Sequence, residues 1–70
     1  MITKSTALTA DYFEHIGNTN ADGSPQRWRR NGQTKTWKTR PDHFQIPVKH
    51  GLYAHGYITH ENADEFRVAD

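Results

Sequence analysis

The residues of this chain best suited to chemistry crowd into one short stretch. Between Pro25 and Arg40 lie Arg27, Arg29, Arg30, Lys35, Lys38 and Arg40, with no acid among them. Cations at this density repel one another, and a polyanionic partner would relieve that repulsion. Phosphates are the natural ligand for such a set. Trp28 and Trp37 fall inside the same stretch. Basic surfaces with interleaved aromatics hold single strands by backbone charge and base stacking. A two-stranded ribbon can also enter the major groove of a duplex. The plainer role for the two tryptophans is a place in the core, since large aromatics are mostly buried. The tryptophans are therefore expected inside, and the cations are expected to carry the function.

Other chemistries find less support. His15, His43, His50, His55 and His60 are spaced unlike any common zinc signature. They read as surface or turn residues, and no metal or cofactor is expected. The sequence has no cysteine, so it offers neither a thiol nucleophile nor a disulfide. Asp42 beside His43, and the acids Glu61, Asp64 and Glu65, are the only candidates for acid–base work. Seventy residues leave little material for a closed pocket with a positioned acid and base. The chain is expected not to be an enzyme. Phe44, Tyr53, Tyr57 and Phe66 are many aromatics for so polar a chain, and any of them left exposed would suit a protein partner.

These residues need a scaffold, and the chain is short for one. A domain of this size buries only about 60% of the surface its unfolded form exposes, so stability is marginal. Self-association is one way to gain burial. No apolar run approaches the roughly 20 residues that span a bilayer, so no membrane is expected and the cytoplasm is. Residues 1–10 read as a loosely ordered tail of a single domain. The acids collect on either side of the basic centre: Asp11, Glu14 and Asp22 before it, and Asp42, Glu61, Asp64, Glu65 and Asp70 after it.

The elements follow from pattern and turn chemistry. Thr9 to Ile16 suits either a short helix or a strand, with the strand preferred, because Asn18 to Ser24 forms a compact turn cluster that returns the chain directly. Asn31-Gly32 separates two β-compatible runs, Gln26–Arg30 and Gln33–Trp37, and predicts a type I′ hairpin. In that register Arg27, Arg29, Thr34, Thr36 and Lys38 share one face, opposite Trp28, Arg30, Lys35 and Trp37. Arg40-Pro41-Asp42 reads as a turn. Phe44, Ile46 and Val48 alternate as a strand with one buried face, and Pro47 pushes that strand toward a sheet edge. Tyr57 to Thr59 suits another strand, and Glu61 to Phe66 a short helix capped by Thr59 or His60. Arg67-Val68 either adds a last short strand or frays.

The run from Asn31 to Pro41, with Phe44 to Leu52 and Gly56 to Thr59, resembles small uncharacterised proteins of actinobacteriophages and their hosts. The resemblance spans about residues 25 to 66. It implies a context only: a small accessory protein in a bacterial cytoplasm, of a kind that binds nucleic acid or redirects a host protein. The fold expected is mainly β, a small antiparallel sheet or SH3-like barrel of four to five strands with a short C-terminal helix. An α+β form with a helix over Thr9 to Ile16 is the alternative. The function expected is nucleic-acid binding through the basic hairpin with little sequence specificity, using Arg27, Arg29 and Lys38, supported by Arg30, Lys35 and Arg40. The rival is a module that binds and modulates a host protein.

Overall fold

The computed structural model describes residues 2–69. Six strands form one antiparallel sheet: β1 (Tyr12–Thr19), β2 (Pro25–Arg30), β3 (Lys35–Trp37), β4 (Arg40–His50), β5 (Ala54–Thr59) and β6 (Phe66–Val68). Its order is β3-β4-β2-β1-β6, with β5 also paired to β4. The sheet is open rather than closed into a barrel.

β4 organises everything else. Phe44, Ile46 and Val48 are buried while their neighbours are not, which is the alternation of a strand with one wet face. They meet Ile58 of β5, Phe13 of β1 and Phe66 of β6 in one core. A helix, α1 (Lys4–Thr9), supplies Ala7, and the residues beside it, Ile2 and Ala10, are buried with it. Residues 1–10 were expected to be a loose tail; Met1 lies outside the described residues, and residues 2–10 form this helix with its flanking residues. Thr3 and Thr6 exchange side-chain and backbone hydrogen bonds in a capping box. So short a helix is not stable alone; burial of Ile2, Ala7 and Ala10 holds it.

The strand preferred over residues 9–16 is present from Tyr12 onward, and the cluster 18–24 is the turn of the β1–β2 hairpin. Asp22 braces it by accepting hydrogen bonds from the Ser24 amide at 3.0 Å and hydroxyl at 2.6 Å. Those donors hold the Asp22 carboxyl below its ordinary range.

Asn31-Gly32 does not make a hairpin. A type I′ turn needs positive φ at both central residues, and only Gly32 has it, at 141°. The Asn31 amide instead donates to the Pro47 carbonyl at 2.7 Å. Arg30 pairs with Val48 and Lys35 with Gln45, so β2 and β3 follow one another along the same edge of β4. Between those pairs one chain advances five residues and β4 advances three, and the excess loops out. A Cβ on Gly32 would come within 3.1 Å of the Pro47 ring, so glycine also permits the close passage.

Pro47 is therefore central, not at an edge. In an antiparallel ladder one residue's N–H and C=O face the same neighbour. The Pro47 carbonyl faces Asn31, so its missing N–H falls where residues 31–34 have left the ladder. The turn expected at Arg40-Pro41-Asp42 lies two residues earlier: Trp37 pairs with Arg40 across Lys38-Thr39, and Pro41 and Asp42 belong to β4. Among the described residues no non-glycine residue has positive φ, so that two-residue loop is not of the primed kind that matches strand twist. The ladder slips at once between Thr36 and Trp37.

The C-terminal helix is only a 3-10 turn, Ala63–Glu65. Phe66 is drawn into β6 opposite His15 of β1, which stops any helix from propagating. Asn62, before the turn, spends its side chain on β5: it accepts from the Thr59 amide at 2.8 Å and donates to the Tyr57 carbonyl at 3.1 Å. Among the described residues no helix is long and apolar enough to cross a membrane.

Candidate nucleic-acid interface

The core lies on one side of the sheet only. α1 and the 3-10 turn contribute buried residues to that side, and the side chains between the core positions face solvent. Register shows which they are. Tyr12 lies opposite Arg29, Arg29 opposite Lys49, and Lys49 opposite His55, a row across four strands. In the next row Arg27 lies opposite Glu14 and Glu14 opposite Arg67. On the other flank Pro47 lies opposite Tyr57, and beyond it Lys35 opposite Gln45 and Gln45 opposite Thr59.

This distribution revises the basic set. Arg27 and Arg29 are exposed on the open face, as expected. The Arg27 guanidinium sits 4.3 Å over the Tyr12 ring. Lys35 joins the same face, with its ammonium 5.2 Å from the Trp37 ring centre. Lys38 and Arg40 are exposed at the β3–β4 turn, at one end of the sheet. Arg30 is elsewhere. Its side chain enters the covered side, where Nε donates to the Ala10 carbonyl at 3.0 Å and Nη2 is directed at the same oxygen. Nη1 donates to the Thr34 hydroxyl at 3.1 Å, and Asp11 lies 3.5 Å from Nε. Thr34 is buried and donates to the Ala7 carbonyl. Arg30 and Thr34 thus tie down the last carbonyls of α1, which a helix cannot satisfy itself. Thr34 and Thr36 leave the basic strip on which the hairpin register put them: Thr34 is buried, and Thr36 pairs with the inward Phe44.

The tryptophans are not neighbours across a hairpin. Trp28 is half-buried on the covered side, packs against the core, and lies edge-on to Phe66 at 6.5 Å and tilted over His50 at 5.3 Å. Its indole N–H is buried with no hydrogen-bond partner among the described residues. Trp37, also half-buried, is edge-on to His43 at 6.2 Å.

Lys49, His55 and Tyr57 also belong to the open face, and the binding set expected from the sequence did not include them. Their signal was present: if Phe44, Ile46 and Val48 point in, Gln45, Pro47 and Lys49 must point out. On the covered side, the His43 and His60 rings stack at 3.8 Å beside Asp42 and Glu61, along an open groove of about 510 Å³. No set of three His, Asp or Glu side chains among the described residues is placed to hold a metal ion.

At ladder positions of the open face among the described residues, five cations, Arg27, Arg29, Lys35, Lys49 and Arg67, accompany one acid, Glu14. Glu14 accepts a 2.9 Å hydrogen bond from Arg67. Arg29 and Lys49 stand directly opposite one another, an arrangement that costs stability in a sheet. No family model matches the chain, and no curated protein or solved structure is significantly similar to it.

Proposed function

We propose that this protein binds nucleic acid through the open face of its sheet, by contacts to backbone phosphates and with little sequence discrimination. The observation that carries the proposal is the Arg29–Lys49 pair, like charges held face to face in the middle of an uncovered sheet. The register that sets Arg30 opposite Val48 brings the two positions together but asks for no charge at either, and a phosphate between them would turn repulsion into binding energy. Arg27 and Lys35 extend the cationic surface on either side. The binding surface is thus a sheet face rather than a hairpin, and Lys49 replaces Arg30 in it. Such a role is non-enzymatic, suits a bacterial cytoplasm, and fits the accessory phage-type context implied by the sequence resemblance.

The test is titration of a labelled oligonucleotide across salt concentrations. Each phosphate contact contributes a slope of about −0.7 to −0.9 in log affinity against log salt. Arg29→Gln and Lys49→Gln should each weaken binding and flatten the slope by roughly one contact. Absence of binding at low salt defeats the proposal.

One observation favours a protein partner instead. Leu52 and Tyr53, at the β4–β5 turn, are 84% and 89% exposed, and exposed aromatics are common hot spots. A partner retained from nuclease-treated lysate, lost with Leu52→Ser/Tyr53→Ser and kept by Arg29→Gln, would establish that reading.

A further inference from the structure

The open face is not flat everywhere. Asn31, Pro47, His55 and Tyr57 surround a depression of about 120 Å³ on it, floored by the backbone of Val48 and Gly56. The fold makes this hollow from features already described. Residues 31–34 leave the ladder after Asn31, so the β4 edge beside Pro47 is not covered by a partner strand. Gly56 lies opposite Val48, with the side-chain direction of both toward the covered side, where Trp28 lies, so the two present only backbone to the hollow. Tyr57 stands opposite Pro47 and is 58% exposed. His55 stands opposite Lys49, so the hollow adjoins the cationic row.

Its chemistry is specific in kind. The Tyr57 ring and the Pro47 ring are flat or rigid apolar surfaces. The Asn31 side-chain carboxamide offers a donor and an acceptor side by side, the pattern that reads a base edge. The His55 imidazole adds another polar contact. Tyr57 and His55 have no ring contact among the described residues, unlike Tyr12, whose ring is covered by Arg27. One planar heterocycle that is apolar on its faces and polar on its rim fits this hollow, with phosphates on the Arg29–Lys49 row beside it.

The geometry points to single-stranded nucleic acid as the ligand, with one unstacked base seated against Tyr57 between Asn31, Pro47 and His55. This rests on the proposed phosphate binding and goes further by naming the strand state. Bases inside a duplex are stacked and paired, so they cannot enter a surface hollow without being extruded. The open face also presents no helix to a major groove, because α1 packs on the other side of the sheet. A sheet with cations and a free aromatic is instead suited to successive unpaired bases.

The experiment compares one labelled single-stranded oligonucleotide with its own duplex at the same salt concentration, for the unaltered protein and for Tyr57→Ala, Tyr57→Phe and Arg29→Gln. The single strand should bind at least tenfold more tightly than the duplex. Loss of one base stack should make Tyr57→Ala roughly five- to a hundredfold weaker on the single strand, with its salt slope unchanged. Tyr57→Phe keeps the ring and should bind like the parent. Arg29→Gln should flatten the salt slope. Tyr57 is exposed, so its substitution spares the core, and a near-ultraviolet circular dichroism spectrum like the parent's checks that it does. Equal affinity for strand and duplex overturns the inference and leaves phosphate binding standing. So does parental binding by Tyr57→Ala alongside a weakened Arg29→Gln. No binding of either oligonucleotide at low salt overturns both.

Discussion

Arg29 and Arg30 are adjacent, chemically identical and in the same strand, yet they belong to different regions of the molecule. Arg29 points into solvent from the open face and lies opposite another cation. Arg30 points to the covered face and spends its guanidinium on the Ala10 carbonyl and the Thr34 hydroxyl. The difference is one step of strand parity. It teaches that a cluster of cations in sequence is not one surface: a strand deals successive residues to opposite sides, so a basic run splits into a structural set and a free set. Here the covered side uses its arginine to close the end of a helix, and the open side carries more cations than the one acid on its ladder positions, Glu14, can balance.

The sharpest way to break this comparison is at its most buried point. Phe13 and Tyr12 are neighbours in β1, one fully buried in the core and one on the open face. Phe13→Ala should cost about 3–5 kcal/mol, close to the whole stability of a domain this small. Tyr12→Ala removes a partly exposed ring that lies under Arg27 on the open face and should leave a cooperative transition. Denaturant unfolding of both variants decides the matter. Equal losses would mean that the sheet is covered on both sides, which would remove the surface proposed to bind.

The two arginines come next. Arg30→Ala leaves the Ala10 carbonyl and the Thr34 hydroxyl without their charged donor, and hydrogen bonds to charged groups are worth about 1.5–3 kcal/mol. Arg29→Ala removes one member of a repelling pair, so stability should stay within about 0.5 kcal/mol of the parent or rise slightly. Binding should respond in the opposite order. Arg29→Ala should weaken oligonucleotide binding, while Arg30→Ala, measured under conditions where it is folded, should not. Thermal melts paired with the same titration test both halves, and an Arg30 variant that is stable but fails to bind would merge the two regions again.

The alternation at Phe44, Ile46 and Val48 was legible because it depends on local period alone, and the β1 strand and its 18–24 turn were legible for similar reasons. The hairpin at Asn31-Gly32 was misread because the dipeptide reports what the backbone permits, whereas β4 decides which edge it pairs with. Pro47 compounded the error: the rule that keeps proline at edges holds for a complete ladder, and this ladder has a gap where the N–H would go. α1 was missed because what holds it is tertiary: burial of Ile2, Ala7 and Ala10 in the core, and Arg30 and Thr34, residues 20 and 27 positions away from the carbonyls they bind. Of the proposed site, Arg27 and Arg29 stand out in the sequence by charge. Lys49 and Tyr57 were missed because they lie outside the basic run, and only the pairing of β2, β4 and β5 brings them together.

The smallest expected effect concerns the rim between the two faces. The free edge of β5 would present the amide of Thr59 and the carbonyl of Tyr57 to any passing strand, which is a known route to unwanted pairing. The Asn62 side chain occupies both, accepting from one and donating to the other as a partner strand would. Asn62→Ala removes two half-exposed hydrogen bonds and should cost about 1 kcal/mol, lowering the melting temperature by roughly 4–8 °C. Asn62→Asp keeps the acceptor for Thr59 but turns an oxygen toward the Tyr57 carbonyl, so it should retain part of that stability and not all of it. With the edge uncovered, the Asn62→Ala protein should also gain mass with concentration in sedimentation experiments while the parent gains less. An Asn62→Ala protein that melts and sediments like the parent would show that β5 is protected by something other than this side chain, and would make the edge, rather than the open face, the first place to look for a second copy of the chain.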